Sequence, residues 1–271
     1  MNQYTFNAEN LAAVNRAFIY GDAVRVSFFV RNSTLIMAEE CYFFLMASMR
    51  KMRMNIPLTY TLEFFQNLFQ EQVIDKGTRN AIIDFLIYRN TDDKPLQKSN
   101  VSFYFQVKEY EDVLSIQGQY QLDLIKEISV NTHILSNIRV HCPENIYAEI
   151  YAKENDLNEL ILLNPNKRIA RAISGNLLFL EGNTIKIPKQ TEGAYISPLM
   201  ENFVTFAHKN AGIQIEQAEI IAFESQKADE ILLISDEKGI FSVKQIRNKS
   251  FDNERFTALI EQWKQNLTAT E

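Results

Sequence analysis

Residues 228–243 read ADEILLISDEKGIFSV, and this stretch sets the fold class. The apolar run at 231–235 precedes a polar turn containing Gly239, and a second apolar run begins at Phe241. Short runs rich in Ile, Leu and Val between turn residues are typical of buried strands. The stretch therefore predicts two neighbouring strands, 231–235 and 241–245, joined by a tight turn.

Upstream of this stretch, strands and helices alternate without an internal repeat. Pro143 is a good first-turn residue and predicts a helix over 143–155. Ser197 followed by Pro198 is an N-cap and first-turn pair, which predicts a helix to about Ala211. A further helix is expected before residue 231. The remaining predictions are strands at 159–163, 170–173, 177–180 and 184–187 and a closing helix at 253–267.

The first part of the chain has its own set of elements. Apolar residues at helical spacing predict helices over 39–53 and 61–72. Clusters of β-branched and aromatic residues predict strands at 23–30, 80–88 and 101–109. The polar stretch 90–98 (NTDDKPLQK) is expected to form an exposed hairpin connection. A second half begins near 113–119. We therefore expect an α/β (α+β) protein with two lobes and a cleft between them, divided into domains 1–113 and 114–271.

Composition narrows the classes of function. The chain has 271 residues, of which 46% are hydrophobic and 23% charged, an ordinary globular mixture. A net charge of -6 argues against nucleic acid as a partner, and no apolar run reaches membrane-spanning length. The N-terminal residues lack a secretory signal, so we expect a cytoplasmic protein. The two cysteines and three histidines lack metal-ligand spacing, so no metal site is expected.

Six motifs along the chain form a recognisable series: 15–22 (NRAFIYGD), 39–57 (EECYFFLMASMRKMRMNIP), 134–139 (ILSNIR), 159–164 (ELILLN), 176–179 (NLLF) and 228–243. In this order they resemble one family of pyridoxal-phosphate (PLP) enzymes, the class IV aminotransferases, which include branched-chain and D-amino-acid aminotransferases and aminodeoxychorismate lyases. This resemblance implies a two-domain D-amino-acid aminotransferase-like fold, PLP in the cleft and a homodimer.

The family's nucleophilic lysine is absent from its expected place. In the family it follows a segment like LSN plus one apolar residue, and here Arg139 stands there. No lysine lies between Lys126 and Lys153, so a small shift of alignment does not supply one. A lysine must lose its proton to form a Schiff base, whereas arginine stays protonated. Lys126, the nearest upstream amine, is flanked by acids and is expected on an exposed face.

The partner of the pyridine nitrogen also differs. The resemblance puts a glutamate five residues before the asparagine of the 176–179 motif, and this position is Arg171. Two like charges about 4 Å apart at an effective dielectric of about 20 repel by about 4 kcal/mol. A guanidinium there would disfavour the protonated ring on which the family's chemistry depends.

The expected phosphate site is changed at several positions. The resemblance assigns the phosphate-binding arginine of the first helix to Phe44 and a helix-start amide to Pro198, which has no N–H. Ile234 stands in the place of a threonine hydroxyl, and Asp236 adds negative charge nearby. We therefore expect no PLP-binding residues and no cofactor, while PLP binding without a covalent bond stays open.

Two interpretations of the replaced site stay open. In one, the arginines hold a carboxylate or phosphate of another ligand, in a candidate anion pocket built from Arg25, Phe44, Arg139, Arg171, Ser197 and Ser235. In the other, the pocket is closed and each arginine pairs with a nearby acid or reaches solvent. Arg139 and Arg171 are expected close together in both.

The sequence thus favours a catalytically degenerate class IV aminotransferase-like protein, with no catalytic residue to assign and with a binding or structural role as a homodimer. The alternative is an active PLP-dependent aminotransferase or aminodeoxychorismate lyase that acts on a small amino acid with rearranged site residues.

Overall fold

The computed structural model describes residues 3–7, 16–90 and 100–270. By its contacts the chain divides into two units, Met1–Val113 with Ile138–His141, and Leu114–Asn137 with Cys142–Glu271. The domain division expected from the sequence, 1–113 and 114–271, stays a prediction. The expected hairpin connection at 90–98 lies, beyond Asn90, outside the described residues.

The first unit is built on a five-stranded antiparallel sheet. Its strands are β1 (Gln3–Asn7), β2 (Ala23–Arg31), β3 (Thr34–Ile36), β4 (Ala81–Arg89) and β5 (Val101–Glu109). Their spatial order is β1-β5-β4-β2-β3. β2 pairs with β4 along nearly its whole length, from Ala23 opposite Tyr88 to Val30 opposite Ala81.

Aromatic side chains form the core of this unit. Phe28 of β2 and Phe69 of the helix Leu62–Phe69 have ring centroids 4.7 Å apart, and Phe65 meets Phe85 edge-on at 5.5 Å. All four rings are buried, and burying each contributes about 1.5–3 kcal/mol. The described part of this unit also contains the helices α1 (Arg16–Tyr20), α2 (Ala38–Lys51) and α3 (Leu62–Phe69), the last of which continues into a π-helical turn, Gln70–Ile74.

The second unit contains a nine-stranded mixed sheet. Its strands are β6 (Ile116–Leu124), β7 (Glu159–Leu163), β8 (Ile169–Ala172), β9 (Asn176–Glu181), β10 (Thr184–Pro188), β11 (Gln214–Ala218), β12 (Glu230–Ser235), β13 (Gly239–Ile246) and β14 (Lys249–Ser250). Their spatial order is β11-β10-β9-β12-β13-β6-β7-β8, and β14 pairs with β13. β12, at the middle of the sheet, is buried along its whole length, and its neighbours β9 and β13 are both antiparallel to it.

Three helices complete this unit: α4 (Pro143–Glu154), α5 (Pro198–Ala211) and α6 (Glu254–Thr270). The indole of Trp263 on α6 is fully buried, meets the ring of Phe203 on α5 at 5.3 Å, and donates to Asn202 Oδ1 at 2.9 Å. Trp263 thus joins α6 to α5 both by burying apolar surface and by a hydrogen bond from its indole N–H.

One predicted element is wrong. After α5 the chain forms the edge strand β11 and a short 3₁₀ turn, Glu224–Lys227, where a further helix was expected. Gly212, at φ 66°, ends α5, and the segment then pairs in parallel with β10 from Gln214 opposite Thr184. Pairing with a distant strand decides the conformation here, which local sequence does not indicate.

Candidate functional site

Arg171 is the most unusual charged side chain of the second unit. It lies on β8, whose four residues are all buried, and is only 3% exposed. Its Nη1 donates to Asn145 Oδ1 at 2.9 Å and to the carbonyl of Ala172 at 3.2 Å, while its buried Nε has no hydrogen-bond partner. Arg171 forms no ion pair with any of the residues that the structure describes. Neutral oxygens therefore solvate this buried cation.

The ring of Tyr195 completes the surroundings of Arg171. Arg171 Cζ lies 4.2 Å from the ring centroid, a cation–π contact. The Tyr195 hydroxyl accepts from Asn145 Nδ2 at 3.0 Å, and Asn176 holds the Tyr195 backbone through paired bonds of 2.8 and 2.9 Å. Arg171, Tyr195 and Asn145 thus form a polar cluster joining β8, α4 and the segment before α5.

Cys142 lies at the edge of this cluster. Its Sγ is 3.7 Å from Arg171 Nη2 and 3.2 Å from Glu144 Oε2. Burial raises the pKa of the Cys142 thiol, although the nearby Arg171 charge opposes this. The neutral thiol is therefore favoured, and Cys142 lacks the thiolate character of a nucleophile. Cys41 in the first unit is buried and forms no disulfide bond.

The N-terminus of α5 carries a second polar pair. Ser197 is the N-cap, and its Oγ accepts from the Met200 amide at 3.1 Å. The same hydroxyl donates to Asp236 Oδ1 at 2.6 Å, and both residues are buried. Asp236 follows directly after β12, so the end of the central strand places a carboxylate at the positive end of α5.

The turn between β8 and β9 packs tightly against the end of β12. A Cβ at Gly175 would lie 2.2 Å from the Ile234 carbonyl oxygen, so a larger residue does not fit there. Ser235 Oγ donates to the Ser174 carbonyl at 2.7 Å, and the side chain of Ile234 is fully buried. In the part of the chain that the structure describes, Ser235 and Ile234 therefore hold this turn in place, through a hydrogen bond and through buried apolar surface respectively.

An ion pair between a partly exposed lysine and a buried glutamate lies beside the same turn. Lys238 Nζ is 3.3 Å from Oε1 of Glu159, which is fully buried at the start of β7. Burial raises the pKa of Glu159, while the charge of Lys238 and hydrogen bonds from Ser174 oppose the shift. Burial, followed by the Glu159 charge, raises the pKa of Tyr120 to about 12. Sequence reasoning missed this pair, whose partners are 79 residues apart.

The other predicted pocket residues belong to the first unit. The Arg25 amide donates to the Arg139 carbonyl at 2.9 Å, so β2 and the segment Ile138–His141 are joined at these two arginines. The Arg25 guanidinium is half exposed and pairs with Asp84 at 3.5 Å. Phe44 on α2 is buried. The structure thus joins Arg25 to Arg139, whereas their common pocket with Arg171, Ser197 and Ser235 stays a prediction.

The second unit also has a surface cavity of about 400 Å³ over β9, β10 and β11. Four glutamates and two lysines line it, and each lysine pairs with a glutamate: Lys186 with Glu181 at 2.7 Å and Lys189 with Glu219 at 3.2 Å. None of the six predicted pocket residues lines it. We regard it as a solvated, acidic face that does not favour an anion, because both of its lysines are already paired.

The chemistry of these donors does not fit PLP at the positions assigned by the resemblance. The pyridine nitrogen calls for an acceptor or an anion, and Arg171 offers only donors and positive charge, one of them a buried Nε without a partner. The phosphate calls for donors, and the N-cap of α5 already carries the carboxylate of Asp236. Among the described residues no cluster of His, Cys, Asp and Glu is placed to hold a metal, and none of the helices is both long and apolar enough to span a membrane.

Three solved structures share the fold, each at low sequence identity. A proposed 4-amino-4-deoxychorismate lyase of Legionella pneumophila has a TM-score of 0.83 at 16% identity, with 95% of this chain and 96% of that chain covered. The branched-chain aminotransferase of Thermoproteus uzoniensis with norvaline gives 0.84 at 16%, with 97% and 93% covered. A Brucella abortus aminotransferase bound to PLP gives 0.81 at 13%, with 98% of each chain covered. These likenesses confirm the predicted α/β fold.

Sequence comparison gives the family. A search of curated proteins found no match. The family model of amino-transferase class IV matches residues 44–246, which is more than half of the chain. The matched range includes Phe44, Arg139, Arg171 and Asp236. On this match the chain belongs to the class IV aminotransferase family.

Proposed function

We propose that this protein is a non-catalytic member of the class IV aminotransferase family, which does not bind PLP covalently and acts through binding or structure. The observation that carries the proposal is a segment without lysine from 127 to 152, in which the family resemblance puts Arg139 at the position of the reactive lysine. A guanidinium remains protonated at neutral pH and does not act as the amine that the family's reaction requires.

The contacts of Arg171 support the same proposal. Its guanidinium is used inside the protein, by Asn145, by a backbone carbonyl and by the face of Tyr195. A buried cation fixed in this way would repel a protonated pyridine ring. Removing it would leave Asn145 and a buried carbonyl without their donor, so the arrangement also stabilises the fold.

These contacts favour a closed site over an open anion pocket. Arg25 pairs with Asp84, as the closed interpretation expects. Arg171 does not match that expectation, because it is buried and its Nη1 donates to neutral internal oxygens instead of pairing with an acid or reaching solvent, yet these contacts also occupy its guanidinium. A small anion held by Arg25 and Arg139 is the remaining form of the pocket hypothesis. A homodimer in the cytoplasm, with a regulatory or structural task, is the setting that we propose for this protein.

The test is to incubate the purified protein with PLP and record the visible spectrum, together with assays of amino transfer from common amino acids to 2-oxoglutarate and of aminodeoxychorismate cleavage. We expect the spectrum of free PLP and no turnover in either assay. Turnover that is abolished in Lys126→Ala would instead establish the active enzyme and identify its amine. Lys189→Ala, which changes an exposed lysine of the surface cavity, is the control for that variant.

A further inference from the structure

The N-terminus of α5 has fewer free donors than most helix starts. Pro198 at the first helical position has no N–H, and the Met200 amide is taken by Ser197 Oγ. The Glu201 amide bonds to the Ser197 carbonyl at 2.9 Å, as in a regular helix. The Leu199 amide is the first-turn N–H that remains to contribute to the positive end of this 14-residue helix.

Asp236 supplies negative charge at this helix end. It is 6% exposed, and its Oδ1 accepts the Ser197 hydroxyl at 2.6 Å. A buried carboxylate near a helix N-terminus is stabilised by the helix dipole, as a bound anion would be.

The other long helix of the second unit has the same device. Glu230, 3% exposed, accepts the amides of Arg255 and Phe256 at the start of α6, each at 2.8 Å. Glu230 begins β12 and Asp236 follows its last residue, Ser235. The central strand therefore carries one buried carboxylate at each end, and each contacts the start of a helix.

We propose that Asp236 is a built-in anion, which replaces a bound phosphate at the N-terminus of α5 and excludes phosphate-bearing ligands from it. The inference rests on the proposed function, because it gives a physical reason why the phosphate end of this site does not fit PLP. It goes further in naming one residue whose replacement opens the site to inorganic phosphate.

The test uses inorganic phosphate with the full chain, so that no Schiff base enters the result. Asp236→Ser and Asp236→Thr remove the charge and make room, whereas Asp236→Asn removes the charge and keeps the volume. Glu201→Gln, which neutralises another carboxylate of the same helical turn, is the matched control. Binding is measured by calorimetry and by the rise of Tm with phosphate, against sodium chloride at equal ionic strength.

We expect phosphate to bind Asp236→Ser and Asp236→Thr about 10-fold to 100-fold more tightly than the wild type, the range of one charge-assisted hydrogen bond. Saturating phosphate should raise their Tm by about 2–4 °C. Wild type, Asp236→Asn and Glu201→Gln should respond no more to phosphate than to chloride.

Two results would overturn the inference. One is phosphate binding by the wild type as tight as by Asp236→Ser. The other is a lack of phosphate response in whichever of Asp236→Ser and Asp236→Thr folds. Because the proposed function is judged by Schiff-base formation in the wild type, its failure is distinguishable from either of these results.

Discussion

The guanidinium of Arg171 stacks on the ring of Tyr195, with Cζ 4.2 Å from the ring centroid, and Asn145 bonds to both side chains. Three elements meet at this contact, because the residues come from β8, the segment before α5, and α4. At the position where the family resemblance implies a carboxylate, a buried arginine thus stabilises the packing of these three elements.

Arg171→Lys should therefore lower the free energy of unfolding by about 1–3 kcal/mol, since one ammonium does not reach Asn145 and the Ala172 carbonyl with the geometry of a planar guanidinium. Urea unfolding measures the change. Tyr195→Phe keeps the stacked ring and loses only the hydroxyl that accepts from Asn145, so it should cost less. Equal losses in the two variants would contradict the role given to the guanidinium.

Glu159 predicts a pH dependence of stability. Because burial raises its pKa in the folded protein, the folded state keeps this proton to higher pH than the unfolded chain does. Its contribution to stability is then full below the unfolded pKa and is lost as pH rises through the folded pKa. Wild type should lose stability relative to Glu159→Gln over that window, as followed by urea unfolding at a series of pH values.

Lys238→Met extends this test, because removing the cation 3.3 Å from Glu159 raises the pKa of that carboxyl further. The loss of stability should then continue to higher pH than in the wild type. The free energy of unfolding is plotted against pH for wild type, Glu159→Gln and Lys238→Met. If the three curves stay parallel, Glu159 has the same pKa in the folded and unfolded states, which would contradict this prediction.

Glu230→Gln should destabilise the protein by about 1–2 kcal/mol, because a neutral amide with one acceptor oxygen replaces a carboxylate that accepts two first-turn amides of α6. Thermal unfolding measures the change. Asp229→Asn alters the exposed neighbour, which accepts the Gly182 amide, and should stay within about 0.5 kcal/mol of the wild type. An Asp229→Asn loss as large as that of Glu230→Gln would argue for a general charge effect.

Local signals in the sequence predicted most of the regular structure. Ser197 and Pro198 placed the start of α5 at the correct residue, because an N-cap followed by a first-turn proline is a local pattern. The predicted strand at 101–109 is confirmed as β5, and 159–163 as β7. β11 was missed because its conformation comes from pairing with β10.

The contacts of the candidate site depend on distant pairs and were not predictable in detail. Arg171 and Ser197 were named from the family pattern, yet their partners Tyr195 and Asp236 lie 24 and 39 residues away in the chain. Nothing in the local sequence of Glu230 indicates that it caps a helix that begins 24 residues later. Such pairs form only when the strands of the sheet bring their ends together.

Reductive trapping tests the central claim most directly. Wild-type protein is incubated with PLP, treated with borohydride, digested and analysed by mass spectrometry, with the urea-unfolded chain as the control for unspecific labelling. The account predicts no lysine labelled beyond the level of the unfolded chain. Stoichiometric phosphopyridoxyl label on one lysine of the folded protein would contradict it.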